Sequence, residues 1–447
     1  MWKTLRNAWK IEDVRKRILF TLFMVIVIRI GAQIPVPGTD AAWIADNMSG
    51  LLKDGAFNIF NSFTGHSLDK FSILALSITP YITSSIVMEL LSIAIPKLEE
   101  LHKEGNEGRK KINSYTRYLT VALSLVEGLA MSWGFGNSGL YGTHKPLWFY
   151  VAVSTIALTA GSAFLMWIGE QITDKGIGNG ISIVLLVNIL SSIPGDLWTL
   201  FTTFTSGKTI ALAVVIIIVT VAAILAIVVF VVWVNGAQRK IPVQYAGKIV
   251  GRRTLGGQQS NIPLKVMTAS VIPVIFASSL MSIPAMVTQF VTNFSGNAGT
   301  GEVTFWNHVV YFLSSNYWFR IGIPWYYSLG VILYLALIFV FAYFYTSITF
   351  NPTEVAENLK KQGGFVPGIR PGKPTSDYLN SVLNRLVFIG ACALSIVALI
   401  PIVVAGLFNV TNVSFLGTSL IIIVGVILET LQQIEGRLVA REYDSIF

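Results

Sequence analysis

The chain has 447 residues, of which 53% are hydrophobic and only 12% are charged. Because about a quarter of the residues in an ordinary soluble domain are charged, this composition excludes a water-soluble globular chain and indicates a polytopic membrane protein. The formal net charge is +9, and a single cysteine with four scattered histidines excludes a disulfide framework and a local metal-binding motif.

Uncharged stretches divide the chain into ten predicted membrane-spanning helices. A bilayer core about 30 Å thick requires about 20 residues per helix, and a charge at its centre costs a few kcal/mol. Long stretches such as 209–238, 266–301 and 321–353 contain no charged residue. We therefore predict an all-α membrane protein with helices at residues 18–35, 71–94, 118–136, 148–171, 181–199, 210–234, 266–290, 325–348, 386–407 and 416–434.

The distribution of Lys and Arg predicts which side of the membrane each loop occupies. Apart from Arg29 in the first helix, all but five of these residues fall on one side of the predicted helices. Because positively charged loops remain in the cytoplasm, both termini are expected there, and the basic loops suit contact with anionic lipids. We expect the first helix to be a retained anchor, since no cleavage pattern follows Ile34. The five external residues are Lys53, Lys70, Lys145, Lys208 and Arg320.

The segment at residues 56–66 has apolar residues at helical spacing, but it is about half as long as a spanning helix. It must therefore lie on the membrane or dip into it. An interfacial anchor is one interpretation, and a short re-entrant helix that fills a cavity is the other.

A six-residue pattern, Pro-x-Ile-x-x-Ser, occurs in the second and in the seventh predicted helix, beginning at Pro80 and at Pro273. Each copy falls in the second helix of a group of five, as two pseudo-symmetric halves at residues 1–200 and 201–447 would require. Because proline removes a backbone hydrogen bond, we expect a loosened helix at both positions. Packing kinks with a chance similarity are the alternative.

Motifs for enzymatic chemistry are incomplete. Residues 207–209 (GKT) resemble the end of a phosphate-binding loop, but Thr202 occupies the position of its leading glycine. The glycines of residues 176–180 have the wrong spacing for a dinucleotide turn. No histidine lies in a predicted span, which argues against an intramembrane protease with a histidine base or ligand. We predict that the chain is not an enzyme and uses no metal or cofactor.

Two cytoplasmic loops, at residues 237–265 and 351–380, are longer than connectors require. Long ordered loops in compact proteins are usually functional. The first loop carries Lys248 and the tip Gly251-Arg252-Arg253, and the second carries Arg370 in a Gly- and Pro-rich stretch. Arginines on such tips suit bidentate contact with phosphate or carboxylate, so we predict a docking surface for an acidic protein or RNA.

Several longer stretches resemble the SecY family, the channel subunits of the bacterial Sec protein translocase. They cover nearly the whole chain in the order found in that family, and several exceed eight residues. The stretches are Gly169–Ser182 (GEQITDKGIGNGIS), Ile262–Lys265 with Val271–Ser278, Phe350–Pro352 through Phe365–Gly372, and Gly417–Leu420.

The resemblance implies ten helices in two halves around a central hourglass-shaped pore, with a lateral gate between the second and seventh helices. The segment at residues 57–65 is similar to the plug of that pore. Such a protein is a multi-pass protein of the bacterial plasma membrane that passes unfolded preproteins with signal peptides and releases membrane segments sideways. The implied partners are SecE and SecG in the membrane, and the SecA ATPase and the ribosome on the two basic loops.

Individual residues take roles through the same resemblance. Met267 departs from the family, in which asparagine is common at this gate position. Residues at i and i+4 share a helix face, which suits the paired aliphatic positions of a pore. The implied pore ring is Ile78, Ile82, Ile181, Leu185, Ile275 and Ile422; the lateral gate is Thr83, Glu127 and Met267; the plug residues are Phe57, Ile59, Phe60 and Phe63; and the docking residues are Lys248, Arg252, Arg253 and Arg370.

Two other classes of protein remain open on the residues alone. A secondary transporter also has repeats and broken helices, but it requires polar substrate groups where this chain places isoleucine. An intramembrane enzyme requires a catalytic set. The pore isoleucines have an alternative interpretation too, as ordinary residues of a packed core.

The orientation is testable by thiol labelling in a Cys392→Ser background. With an impermeant maleimide on intact cells, we expect Lys145→Cys to be labelled and Arg370→Cys to be labelled only after the membrane is opened, because the Lys and Arg distribution places them on opposite sides. Labelling of position 370 but not of position 145 in intact cells would contradict the orientation.

Overall fold

Each of the ten predicted segments contains a helix among its described residues in the computed structural model. Six helical stretches within the described ranges are long and apolar enough to cross a membrane: Glu107–Asn137, Leu147–Lys175, Leu212–Gly236, Trp325–Lys361, Lys373–Ile400 and Ser419–Leu438. The structure describes residues 6, 9–48, 61, 64–142, 146–205, 210–245, 249–250, 253–254, 259–267, 271–281, 308–309, 312–313, 318–319, 324–408 and 418–444.

The helices follow one another in chain order, with α3 and α10 as short helices outside the predicted spans. Their bounds are α1 Glu12–Gly31, α2 Thr79–Ala94, α3 Pro96–Lys103, α4 Asn106–Asn137, α5 Leu147–Lys175, α6 Gly180–Thr205, α7 Ile210–Gly236, α8 Ile272–Met281, α9 Gly330–Thr349, α10 Pro352–Lys361, α11 Lys373–Phe408 and α12 Thr418–Asp444.

The second predicted helix was expected to begin at residue 71, and this boundary is wrong. Residues 71–78 form turns, in which Phe71 and Ser77 have positive φ angles of 42° and 53°. The helix begins at Thr79, so Pro80 lies in its first turn, where a missing N–H removes no helical hydrogen bond. The apolar sequence that starts at residue 71 therefore includes eight residues of turns, 71–78, before the helix begins.

Two further boundaries differ for identifiable reasons. The seventh predicted helix was expected from residue 266, but a strand runs to Lys265 and α8 begins at Ile272. The ninth was expected from residue 386, but α11 begins at Lys373. Gaps between charges define the membrane-embedded part of a helix, and α11 carries Asp377 and Arg385 on turns before that part.

The described chain divides into two compact units, each with its own internal packing. These units are defined by internal packing, whereas the two halves predicted at residues 1–200 and 201–447 are defined by pseudo-symmetry, and the halves stay a prediction. Unit 1 comprises Met1–Ile218, Ser278–Val331 and Pro401–Phe447, and unit 2 comprises Val219–Ala277 and Ile332–Ile400.

In unit 1, the turns before α2 form the centre of a hydrophobic core with α4 and α5. Phe71 is fully buried and meets Phe135 edge to face, with ring centroids 5.8 Å apart. Gly161 of α5 allows the closest approach: a Cβ atom there would lie 2.0 Å from the carbonyl oxygen of Ile73. The core also contains Val36, Leu68, Ala75, Leu76, Met131, Leu140, Tyr141, Val151 and Leu158.

In unit 2, the two long loops form a small antiparallel sheet that the sequence analysis did not predict. The central strand β1 alternates exposed and buried positions, with Ile241 and Val243 both 1% exposed. The sheet order is β4-β1-β5, and a separate ladder joins β2 to β3. The bounds are β1 Gln238–Tyr245, β2 Ile249–Val250, β3 Arg253–Thr254, β4 Gln259–Lys265 and β5 Gly364–Phe365.

Exposed aromatic residues lie near the ends of the apolar helices. Trp148 lies in the first turn of α5, Trp198 is near the end of α6, and Trp233 is near the end of α7; their exposed fractions are 67%, 73% and 70%. Trp and Tyr prefer the headgroup level, where the ring is apolar and its N–H or O–H remains hydrated. This placement is typical of a helical membrane protein.

The close approach at Gly161 predicts a large effect of a single methyl group. Gly161→Ala is expected to lower the free energy of unfolding by roughly 1–3 kcal/mol, because the backbone carbonyl of Ile73 must move. Gly195→Ala is the matched control, since no atom beyond its chain neighbours and the local helix backbone lies within 4 Å of its Cβ position. Thermal unfolding of the detergent-solubilised protein measures both, and equal midpoints would contradict the packing.

Candidate functional site

Both copies of the Pro-x-Ile-x-x-Ser pattern begin a helix in the same way. The N–H of Ile82 donates to the carbonyl of Ile78 at 3.1 Å, and the N–H of Ile275 donates to the carbonyl of Val271 at 3.2 Å. Each proline lies in the first turn of its helix, where it removes no helical hydrogen bond, so neither the expected loosening nor the alternative of a kink follows from it. The repeated feature is a helix start that presents an isoleucine one turn further on.

Five of the six residues predicted for the pore lie in unit 1. Ile78 and Ile82 flank the start of α2, and Ile181 and Leu185 occupy the first two turns of α6, where i and i+4 share a face. Ile422 lies in the first turns of α12 and is 1% exposed. The sixth, Ile275, lies in α8 of unit 2. The ring itself stays a prediction.

A buried hydrogen bond that the sequence analysis missed fastens the start of α2 to α6. Asn188 Nδ2 donates to Ser77 Oγ at 3.0 Å, and both residues are at most 3% exposed. Ser77 precedes Ile78, and Asn188 lies one turn after Leu185. An amide inside the apolar run of residues 181–190 was the available signal, since a buried polar group needs a partner.

A second polar cluster holds the turn at Gly65. Its carbonyl oxygen accepts from Ser191 Oγ of α6 at 3.3 Å and lies 3.5 Å from Arg29 Nη2 of α1. A side-chain hydrogen bond joins the two sides of the same turn: Asn61 Nδ2 donates to Asp69 Oδ1 at 2.9 Å. The plug residues Phe57, Ile59, Phe60 and Phe63 lie outside the described residues.

The predicted gate residues occupy three different elements. Thr83 lies on α2 and Glu127 on α4, two helices that pack against each other in unit 1. Glu127 Oε2 is buried and has no hydrogen-bond partner among the described residues. Met267 follows β4 in unit 2 and is 6% exposed. The gate stays a prediction. The buried carboxyl oxygen of Glu127 is able to accept a hydrogen bond from a further partner.

The two basic loops of unit 2 are joined by the small sheet. β5 of the second loop pairs with β1 of the first, with Gln244 opposite Phe365. Beneath the sheet, Ile241, Val243 and Leu264 of the first loop share one hydrophobic core with residues of the second. The two predicted docking loops therefore form a single folded surface. The residues contributed by α10, α11 and the stretch between them are Leu359, Val366, Leu379 and Leu386.

Arg370 lies at the exposed tip of that surface, in a turn with fixed geometry. Its carbonyl oxygen accepts from Thr375 Oγ1 at 2.8 Å, and glycines with positive φ angles lie on both sides, at 368 and 372. Asn351 caps the start of α10 by accepting the N–H of Thr353 at 3.1 Å. Arg253 lies in β3, whereas Lys248 and Arg252 lie outside the described residues.

These features define a polytopic helical membrane protein with a repeated proline-led helix start and one folded basic surface. The family described as SecY matches residues 72–431. The protein translocase subunit SecY of Streptomyces coelicolor is 43% identical over 450 residues, covering 98% of both chains. That of Bacillus subtilis is 42% identical over 452 residues, covering 99% of both. The chain belongs to the SecY family.

Solved structures of low identity have the same fold. One, described as a protein conducting channel, has a TM-score of 0.65 at 20% identity and covers 94% of this chain and 92% of its own. Another, from a study of how the plug domain of SecY stabilises the closed channel, has a TM-score of 0.63 at 18% identity and covers 94% of this chain and 91% of its own. Both support ten helices in two halves.

Proposed function

We propose that this chain is the channel-forming subunit of a bacterial protein translocase and passes unfolded secretory proteins across the plasma membrane. The supporting observation is identity above 40% to translocase subunits over nearly the full length of both chains. A shared fold alone does not define a function, but matching aliphatic positions at two repeated helix starts suit a pore that accepts any sequence.

The aliphatic residues explain how such a channel avoids specificity. Hydrophobic constrictions exclude water and so block ions, and aliphatic walls make no directional bonds with the passing chain. β-Branched isoleucine has few rotamers, so several such residues define a narrow opening. A lateral gate between the second and seventh spans, and a plug at residues 57–65, complete this proposal.

The folded basic surface is proposed as the docking site for the SecA ATPase or the ribosome. Its arginines present planar donors that suit carboxylate or phosphate groups. A relative in the solved structures belongs to a canine ribosome–channel complex from the endoplasmic reticulum. SecE and SecG are proposed to cover exposed apolar faces of the helices. The helix α1 has one such face. Its exposed residues are Leu19, Leu22, Phe23, Ile26 and Ile30.

Reconstitution separates a protein channel from a solute transporter. Proteoliposomes containing the full chain with SecE and SecG, supplied with SecA and ATP, are expected to protect an unfolded secretory precursor from external protease. Protection requires the complete vesicle, ATP and a precursor with a signal peptide. Uptake of a small solute without any precursor protection would support a transporter and overturn the proposal.

A charge reversal at the docking tip tests the motor contact. Arg370→Glu is expected to reduce SecA-driven translocation at least tenfold, since reversing a charge in a contact costs several kcal/mol. The protein should fold normally, because the Arg370 side chain is exposed. Lys97→Glu is the matched control, as an exposed residue outside the two loops. Precursor protection measures both, and equal rates for Arg370→Glu and wild type would exclude this contact.

The pore interpretation is tested at the two repeated isoleucines. Ile82→Ser combined with Ile275→Ser is expected to raise the resting ion conductance in planar bilayers, because polar side chains allow a constriction to hold water. Ile332→Ser with Ile396→Ser is the control, since both residues are more than half exposed on helix faces. If these isoleucines belong to an ordinary core, the first pair lowers stability without changing the conductance.

A further inference from the structure

Most of the connector between α5 and α6 is buried within unit 1. It comprises residues 176–179, of which 176–178 are buried and Asn179 is exposed, and Ile177 has only 3% of its surface exposed. Connectors normally lie on the surface, because a buried connector carries backbone N–H and C=O groups that need partners inside the protein. The buried N–H groups of this connector therefore need partners from neighbouring elements.

Side chains from two distant helices supply the central partners. Thr21 Oγ1 of α1 accepts the N–H of Ile177 at 3.2 Å. Gln433 Oε1 of α12 accepts the N–H of Gly178 at 3.0 Å. The connector is thus bonded directly to α1 and to α12, in addition to its covalent links with α5 and α6.

A third side chain fixes the first residue of α6. Thr173 Oγ1 of α5 accepts the N–H of Gly180 at 2.9 Å and donates to the carbonyl of Gly169. Thr21 Oγ1 likewise donates within its own helix, to the carbonyl of Arg17 at 2.9 Å. With each hydroxyl hydrogen used in this way, the oxygen lone pairs remain for the connector. We name Thr21, Thr173 and Gln433 the connector clamp.

Steric fit and apolar packing restrict the same connector. Gly178 has a φ angle of 86°, and a Cβ atom there would lie 2.8 Å from the side chain of Ile183 and 3.1 Å from that of Thr430. Ile177 packs in an apolar cluster with Val14 of α1 and Ile434 of α12. The glycine spacing at residues 176–180, which matches no nucleotide motif, is explained by this confined backbone.

We propose that the connector clamp positions the first two turns of α6, and therefore Ile181 and Leu185, relative to α1 and α12. This inference rests on the proposed function, in which Ile181, Leu185 and Ile422 line the pore. Because α12 carries both Gln433 and Ile422, the clamp joins two pore-bearing helices at one end. Thr21 and Gln433 are positioning residues, whose loss loosens the seal without removing any pore side chain.

Hydrogen exchange of the full-length complex tests the clamp without using transport. Gln433→Met and Thr21→Val keep the side-chain volume and remove the acceptor. We expect amide exchange at residues 177–185 to increase about five- to tenfold, the factor for one lost hydrogen bond. Thr21→Ser retains the hydroxyl and should restore the wild-type rate.

Two controls separate the clamp from general effects of these substitutions. Thr349→Val removes an exposed hydroxyl that donates within its own helix, to the carbonyl of Tyr345. Gln432→Met alters the exposed neighbour of Gln433 on α12. Neither is expected to change exchange at residues 177–185, and thermal unfolding of all variants shows whether a change is local or global.

The resting ion conductance in planar bilayers tests the coupling to the pore. Gln433→Met and Thr21→Val should raise the conductance severalfold, while Thr21→Ser and both controls match wild type. Unchanged local exchange in the clamp variants overturns the clamp, and faster exchange with unchanged conductance overturns its role at the pore. If the clamp variants exchange faster as expected but the wild-type complex does not translocate precursor, the clamp stands and the proposed function is contradicted.

Discussion

A backbone N–H or C=O group that is buried away from water, in a bilayer or in a protein interior, needs a partner within the protein, and this constraint governs where the chain is allowed to leave the helical pattern. It does so in unit 1 at the turns of residues 65–78 and at the connector of residues 176–179. Side chains bond to the backbone at both places: Ser191 Oγ donates to the carbonyl oxygen of Gly65, and Gln433 Oε1 accepts the N–H of Gly178. Irregular backbone therefore occurs next to the predicted pore residues, where α2 and α6 begin.

The ten spans were predictable because the free energy of placing a charge in the membrane is large compared with local helix propensity. Their boundaries were less so. The same argument identifies only the embedded part of a helix, and α11 extends over three turns before it, from Lys373. Conversely, an apolar run does not require a helix, and the fully buried Leu74 and Leu76 region consists of turns before α2.

The candidate sites were predictable as residue types and not as contacts. Arg370 was identified from its Gly- and Pro-rich surroundings, and the structure adds the hydrogen bond from Thr375 that fixes its turn. The pairing of Gln244 with Phe365 was not foreseen, because two residues in separate loops carry no local signal of a shared ladder. A sequence pattern reports periodicity within one segment, whereas sheets and buried amides join segments that are far apart.

The connector between α5 and α6 also has a consequence for the order of synthesis. Ile177 follows Thr21 by 156 residues, so its partner is already made when it leaves the ribosome. Gln433 follows Gly178 by 255 residues, which takes roughly 13 to 50 s at about 5–20 residues per second. During that interval the connector and the start of α6 are bonded to α1 and to α5, but not to α12. The bond between the connector and α12 forms only after α12 has been synthesised. The mature arrangement of the connector therefore marks a nascent chain whose helices have all been delivered.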